Sequence, residues 1–371
     1  MTRAAPTPRS PLPDPAPDFH RIRTAAQVIV AFAVVLFLLV QARFLLISLA
    51  TAIILFSLTS DAIDSIARLR IGPARIPNWL ASVVALALIS MALLSLTAIL
   101  LSQVNTVLST TLAYTDRAPE ALAAMVAWLG PDAEAAVRSA VASIDVAGWL
   151  RALAGQAGSL MQGVILVILF VGFLFAERVW FDTKLERFMG DPVQAARTGR
   201  IIASIIHRVN HYLLVKTAMS AITGLLVYGA ARGFGLDLAG ALGILTFVLN
   251  YIPAIGSITA TVLVALVAFV QLADGTQTLA LFAITAAIQF VIGNILDPML
   301  MGRALRVSSF GIMLSLAIWG AVWGIPGMFL AVPIMVGIMI VCSHVPGLRP
   351  VAVLLSREGL PESESDLDRG R

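Results

Sequence analysis

The chain is laid out by where Asp, Glu, Lys and Arg are missing. Residues 24–42 carry none, Arg43 interrupts, and 44–60 follow. Further charge-free runs cover 76–115, with a span within 77–101, and then 152–176 and 275–296. Residues 209–231 hold only Lys216, while 238–273 and 307–348 are each long enough for two passes. A helix needs about 20 residues to cross about 30 Å of hydrocarbon. Residues 44–60 sit near the lower limit, so the first two runs predict a tight hairpin. The expected count is eight full spans, rising to ten if both halves of the last run cross. Lipid offers no hydrogen bonds, so runs of this length must be helices. A transmembrane barrel would alternate apolar and polar positions over about ten-residue segments, and no such alternation is present. The pattern predicts an all-α polytopic membrane protein of about eight transmembrane helices, with broken or re-entrant segments near 250–256 and 323–327.

Short flanks rich in Lys and Arg stay in the cytoplasm. Arg3, Arg9, Arg21 and Arg23 put the N-terminal tail there, and Arg68, Arg70 and Arg75 do the same for 61–75. Residues 104–151 carry Asp116, Glu120, Asp132, Glu134 and Asp145 against three arginines, which suits the outer face. Basic residues between 177 and 216, then Arg303 and Arg306, return the chain to the inside. The expected organisation follows. A disordered cytoplasmic tail covers 1–23, and a transmembrane hairpin with a third span covers 24–103. An extracytoplasmic helical region covers 104–157, and a C-terminal transmembrane bundle covers 158–345. A polar cytoplasmic tail covers 346–371. The proline-rich first residues and the long apolar run read as a signal anchor rather than a cleaved leader.

Two regions outside the spans show helical stripes. Leu122, Met125, Val126 and Leu129 fall at i, i+3, i+4, i+7, and Trp149, Leu150 and Leu153 form a second group. They read as a packed outer cap, with a substrate-capturing lid as the alternative. Within 183–212, Ile201, Ile202, Ile205, Ile206 and Val209 make an apolar stripe flanked by Arg197 and Arg200, which suits a helix in the cytoplasmic membrane interface.

Composition narrows the class further. Of 371 residues, 59% are hydrophobic and 12% charged, against about 25% charged in soluble domains. Mean hydropathy is +0.94. A soluble enzyme, a nucleic-acid-binding domain and a disordered scaffold are excluded, and the net charge of +4 sits beside apolar spans. Cys342 alone allows neither an intramolecular disulfide nor a cysteine zinc cage. Lys184 and Lys216 are the only lysines and neither follows glycine, so there is no P-loop. His-Glu-x-x-His and Gly-x-Ser-x-Gly are also absent. No enzyme, cofactor or metal is expected, and the chemistry left is gradient-driven transport or passive permeation.

Candidate residues are polar groups and helix breaks at membrane depth. Lys216 continues a stripe through Arg208 and Tyr212; it either snorkels from a helix end or faces a water-filled pathway. Asn250 and Tyr251 precede Pro253 and Gly256, which break the run as a tight turn or as a re-entrant segment lining a cavity. Gly324, Pro326 and Gly327 form a second break that shares an Ile-Pro dipeptide with the first. Asp297 follows Asn294 at i+3, with Gln289 further up the span and Pro298 expected to end the helix. Asp297 binds a proton or Na⁺ in one reading and pairs with Arg303 or Arg306 in the other. Gly302 is a further hinge candidate.

Three separated segments carry a resemblance. Leu249-Asn-Tyr-Ile-Pro-Ala-Ile-Gly256, Asp297-Pro-Met-Leu-Met-Gly-Arg-Ala-Leu305 and Trp319-Gly-Ala-Val-Trp-Gly-Ile-Pro-Gly-Met-Phe-Leu-Ala-Val-Pro333 closely resemble the autoinducer-2 exporter family of bacterial permeases. Tyr212-Leu-Leu-Val-Lys216-Thr resembles the entry to that family's fifth span, and the similarity covers 24–345. The resemblance implies an inner-membrane permease that assembles as a homo-oligomer in a lipid bilayer. It implies a small-molecule or monovalent-cation substrate, since members are linked to autoinducer-2 export and some to Na⁺(Li⁺)/H⁺ exchange. Efflux of a small polar metabolite is the leading expectation. An antiporter built on Asp297, Asn294 and Lys216 comes second, and a non-transporting membrane scaffold third.

Overall fold

The computed structural model describes residues 18–67, 78–114, 157–272, 274–301 and 307–357, with 130–132, 135, 139 and 359. Gly302, Arg303, Arg306, Arg68 and the apolar stripes of the outer region (Leu122, Met125, Val126, Leu129, Trp149, Leu150, Leu153) lie outside the described residues. Among the described residues the regular structure is helical, and eight helical stretches are long and apolar enough to cross a membrane. That is the number read from the charge-free runs. The described residues up to Leu46 and those from Ile47 onward form two compact units. The first holds α1, Asp18–Gln41, and the start of α2, Arg43–Ala67. The second holds everything that follows.

In the second unit α2 packs with α3 (Asn78–Tyr114) and α4 (Ala157–Glu177) around Ala52, Ala85, Val167 and Val171. Phe56 meets Phe175 edge-on at 4.9 Å. After α4 a 3₁₀ turn leads into the short α5, Phe181–Met189. Gly190, left-handed at φ 69°, ends it. Asp191 then caps α6, Pro192–Gly233, by accepting from the Val193 amide at 2.9 Å, with Pro192 at a first-turn position.

The 42 residues of α6 run unbroken, so the segment 183–212 is not a single interfacial helix. Ile201 and Ile205 turn toward protein and pack against the cluster that holds Val209, Met335, Val336 and Met339. A stripe of isoleucines satisfies lipid and protein equally, and only the tertiary neighbours decide between them.

Two helical hairpins flank α6. The first is α7, Ala239–Leu249, followed by α8, Ile255–Leu272. Eleven residues extend only about 16 Å, half a bilayer. Leu238, Ala239 and Leu242 at the start of α7 share a core with Val264 and Ala268 late in α8, and with Val227 and Ala231 late in α6. The Asp237 amide also donates to Gln271 Oε1 at 3.0 Å. The hairpin therefore returns to the end at which α6 finishes; α7 is too short to cross a bilayer, while α8 is long and apolar enough to do so.

The second hairpin is α11, Ser309–Trp323, followed by α12, Ile325–His344. Ser315 Oγ donates to the Ala331 carbonyl at 2.7 Å, which pins the arms together. Val307, Ile312, Met339 and Ile340 gather around Val209 and Tyr212 of α6. This hairpin enters beside the early part of α6, opposite to the first. Between the hairpins lie α9, Gly275–Val291, a π turn over Ile292–Leu296 and α10, Asp297–Met301. Asp274 caps α9 through the Thr276 amide at 2.8 Å.

Both hairpin tips rest on the same device. A Cβ at Gly256 would strike the Leu249 carbonyl, and one at Gly327 would strike the Trp319 carbonyl. The returning helix thus lies directly on the last turn of the incoming one. The chain reverses at Gly324 with φ 67° in one hairpin and at Ala254 with φ 61° in the other, a conformation that a Cβ disfavours. The shared Ile-Pro dipeptide is not equivalent in the two. Ile252-Pro253 lies in the turn, whereas Ile325-Pro326 opens α12, where proline loses no helical bond.

Substituting Gly256 or Gly327 by Ala should lower stability by about 2–3 kcal/mol, since the obstacle is backbone. Gly229→Ala, in open space on α6, should be neutral or stabilising by up to about 1 kcal/mol. Thermal unfolding of the purified variants checks this. Equal melting temperatures for all three would refute the close-contact account of the tips.

Candidate functional site

Lys216 stands in the middle of α6, far from either helix end, and is 5% exposed. Its Nζ donates to Asp297 Oδ2 at 2.7 Å. Asp297 is 9% exposed. The snorkelling reading fails because the ammonium has no helix end to reach along. The pathway reading is altered too, since Lys216 is enclosed and paired. The partner that Asp297 finds is Lys216, 81 positions away in sequence. Each charge in hydrocarbon alone would be strongly disfavoured, and together they form a neutral, hydrogen-bonded unit.

The π turn sets where Asp297 points. Pro298 does not end the helix, contrary to expectation, because it falls in the first turn of α10 directly after the π turn. The wider turn gives room for a ring that would otherwise press on the carbonyl of Asn294, four residues back. The same turn separates Asn294 from Asp297. Three residues along a π turn rotate less than along an α-helix, so the expected common face is lost. Asn294 is exposed and donates to the Phe290 carbonyl at 3.2 Å.

The tip of the first hairpin meets α6 immediately beyond Lys216. Asn250 is buried and its Nδ2 donates to Ser220 Oγ at 3.2 Å. Tyr251 Oη donates to Thr217 Oγ1 at 2.7 Å. The Tyr251 ring lies 5.6 Å from Phe247 and 5.8 Å from Phe329 of α12. Ile252 packs with Leu316 and Ala331 of the second hairpin. The tip of the first hairpin therefore sits beside Lys216 and packs on the arms of the second, which enters from the opposite end.

Several polar atoms here are buried with no partner among the described residues: Asp297 Oδ1, Gln289 Nε2 and Thr246 Oγ1. Native proteins leave few such atoms, and each costs about 1–3 kcal/mol. Ser220 and Thr223 continue the buried polar stripe of α6 above Lys216 at i+4 and i+7. This spacing was available in the sequence and was missed, as were Thr246 and Phe329. A second buried link, Ser57 Oγ to Asn210 Oδ1 at 3.0 Å with Asn210 Nδ2 returning to the Ser57 carbonyl, joins α2 to α6. No local signal announces it. The structure thus brings together Asp297, Lys216, Asn250 and Tyr251, with Gln289 on the buried face of α9. It leaves Asn294 outside and keeps Pro253, Gly256, Gly324, Pro326 and Gly327 as elements of the two tips. No cluster of three or more His, Cys, Asp or Glu exists among the described residues.

An all-α polytopic bundle, broken by opposed half-helices over a buried ion pair, has the architecture of a membrane permease. The chain belongs to the AI-2E transporter family, whose model matches residues 28–347. It is 36% identical to the AI-2 transport protein TqsA of Escherichia coli K12 over 208 residues, 56% of this chain and 59% of that protein. It is 31% identical to a protein of Borreliella burgdorferi provisionally named a transport protein, over 52% of this chain and 54% of the relative. A further Escherichia coli K12 protein, YhhT, provisionally named in the same way, is 32% identical over 57% and 59%. The chain spans a little over half the length of these relatives. The family is one of transport proteins, the class to which the missing nucleotide and hydrolase motifs pointed.

Removing one partner of a buried ion pair typically costs about 3–5 kcal/mol, because the other charge is stranded. Lys216→Met or Asp297→Leu alone should lose that much. The double variant Lys216→Met, Asp297→Leu should recover most of it. A double-mutant cycle on unfolding in lipid nanodiscs measures the coupling. Additive losses would show that the pair does not act as a unit.

Proposed function

We propose that this chain is a bacterial inner-membrane permease that exports a small polar solute by alternating access, drawing on an ion gradient and not on ATP. The observation that carries the reading is the buried Lys216–Asp297 pair beside the tip of a hairpin that in turn packs on a second, oppositely entering hairpin. Half-helices that stop inside the bilayer leave polar backbone ends where a solute or ion can bind. Asn250, Tyr251 and Gln289 would line this region, and Asp297 would carry the coupling ion. The name of the TqsA relative makes autoinducer-2 the first solute to try.

Arginine-rich flanks place the N-terminus in the cytoplasm under the positive-inside rule. The second hairpin then opens from the cytoplasm and the first from outside. Apolar side chains exposed on α3 and α6, such as Leu88, Met91 and Leu225, would face lipid or further copies of the chain in a homo-oligomer.

One observation favours a second reading, Na⁺(Li⁺)/H⁺ exchange without an organic solute. Asp297 Oδ1 and Thr246 Oγ1 are buried, unpartnered oxygens, the donor type that hard cations select.

Proteoliposomes with an imposed pH gradient and an internal pH dye separate the readings. Autoinducer-2 should move protons in the wild type, and Asp297→Asn should reduce the response at least about tenfold, equivalent to about 1.4 kcal/mol of lost coupling. Collapse of the gradient by Na⁺ or Li⁺ alone, abolished in Asp297→Asn, would put the antiporter first. An Asp297→Asn protein with unchanged flux would sink both.

A further inference from the structure

We propose that residues 349–356 form a clasp that seals the bundle end beside the early part of α6, keeping water there from the Lys216–Asp297 pair. The purpose of the seal rests on the transport reading, whereas its existence does not. Behind α12 a 3₁₀ turn over Pro346–Leu348 leads into α13, Arg349–Leu355. This helix lies back across the base of the second hairpin. Ala352 is fully buried, and Leu355 enters the cluster of Val209, Tyr212, Val307, Met335, Val336, Met339 and Ile340. Tyr212, in the same cluster, precedes Lys216 by one helical turn on α6, so the cluster that Leu355 joins reaches up to the turn below the ion pair.

The attachment is built from both sides. The Ser308 amide donates to the Leu355 carbonyl at 2.8 Å, and Val307 pairs with Ser356 in an isolated antiparallel bridge. Ser308 at the same point caps α11 through the Gly311 amide at 3.0 Å. A Cβ at Gly311 would lie 3.3 Å from the Leu355 carbonyl oxygen and 3.2 Å from Val307 Cγ1. The missing side chain is what lets the clasp lie flush on the hairpin. The opposite face of α13 has no such fit, with Leu354 70% exposed. Seven residues cannot hold a helix alone in water. Its order comes from this seat, so it can detach locally while the long helices stay folded. Detachment would free the entry of α11 and the base of α12 together, which couples the seal to movement of the second hairpin.

The test places a reporter thiol at Val336→Cys, fully buried in the clasp cluster, in a Cys342→Ser full-length chain. The labelling rate with a membrane-impermeant maleimide is read in proteoliposomes. Leu355→Asp should raise that rate by about tenfold or more, as local opening exposes the cluster. Leu354→Asp should leave it within about twofold, because that side chain is already exposed on the outer face of α13. A thiol at Val264→Cys, buried at the opposite end, should stay slow in every variant. Unchanged labelling in Leu355→Asp overturns the clasp, and so does an equal rise in Leu354→Asp or at Val264→Cys. If Leu355→Asp does not fold, Gly311→Ala replaces it, with a rise of about threefold expected from a lifted seat and a flat rate counting against the proposal. A chain that shows the labelling pattern but moves no solute keeps the clasp and loses the transport reading.

Discussion

The arrangement of the second unit follows from one requirement, that Lys216 and Asp297 neutralise each other away from water. Neither charge is tolerable alone at that depth, so α6 and the α9–α10 segment must hold one register. The π turn over Ile292–Leu296 is the local adjustment that makes this possible. It rotates Asp297 onto α6 and gives Pro298 room in the same stroke. The bond of 2.7 Å between Nζ and Oδ2 leaves the second carboxylate oxygen without a protein partner.

The hairpins show the complementary constraint. Ending a helix inside the bilayer leaves carbonyls and amides unsatisfied. Here the ends are covered by each other, with Gly256 under Leu249 and Gly327 under Trp319. Polar side chains of α6 take over beyond them, through the Ser220–Asn250 and Thr217–Tyr251 bonds. Both bonds hold the tip of the first hairpin. Neutral side-chain hydrogen bonds are each worth about 0.5–1.5 kcal/mol net, less than a buried ion pair loses when one partner is removed.

Much of this was legible in the sequence because lipid punishes error so heavily. The number of long apolar helices and the positions of both breaks followed from charge-free runs and two Pro-Gly segments, with no tertiary knowledge. The direction of the segments was not legible. A run of 36 residues such as 238–273 does not show how unequal its two arms are, and the structure gives an incoming helix of 11 residues and a returning one of 18. Asp297 was found from its isolation, but its partner was not, because a lysine 81 positions away leaves no local trace. Asn294 was misplaced for a related reason. A helical-wheel argument assumes 3.6 residues per turn, and a π turn breaks that assumption without a sequence mark beyond the proline that follows it.

Opposed hairpins and a central pair also explain why the two ends of the bundle differ. The first hairpin is anchored at its base by the continuous core of Leu236, Leu242, Ala268 and Leu281, built from elements that follow one another closely in the chain. The base of the second is closed by residues from Val209 to Leu355, brought together across the full length of the bundle. Both bases nevertheless rest on α6, the first on Val227 and Ala231 and the second on Val209 and Tyr212. A single helix of 42 residues thus sets the register of both hairpins and of Lys216 between them.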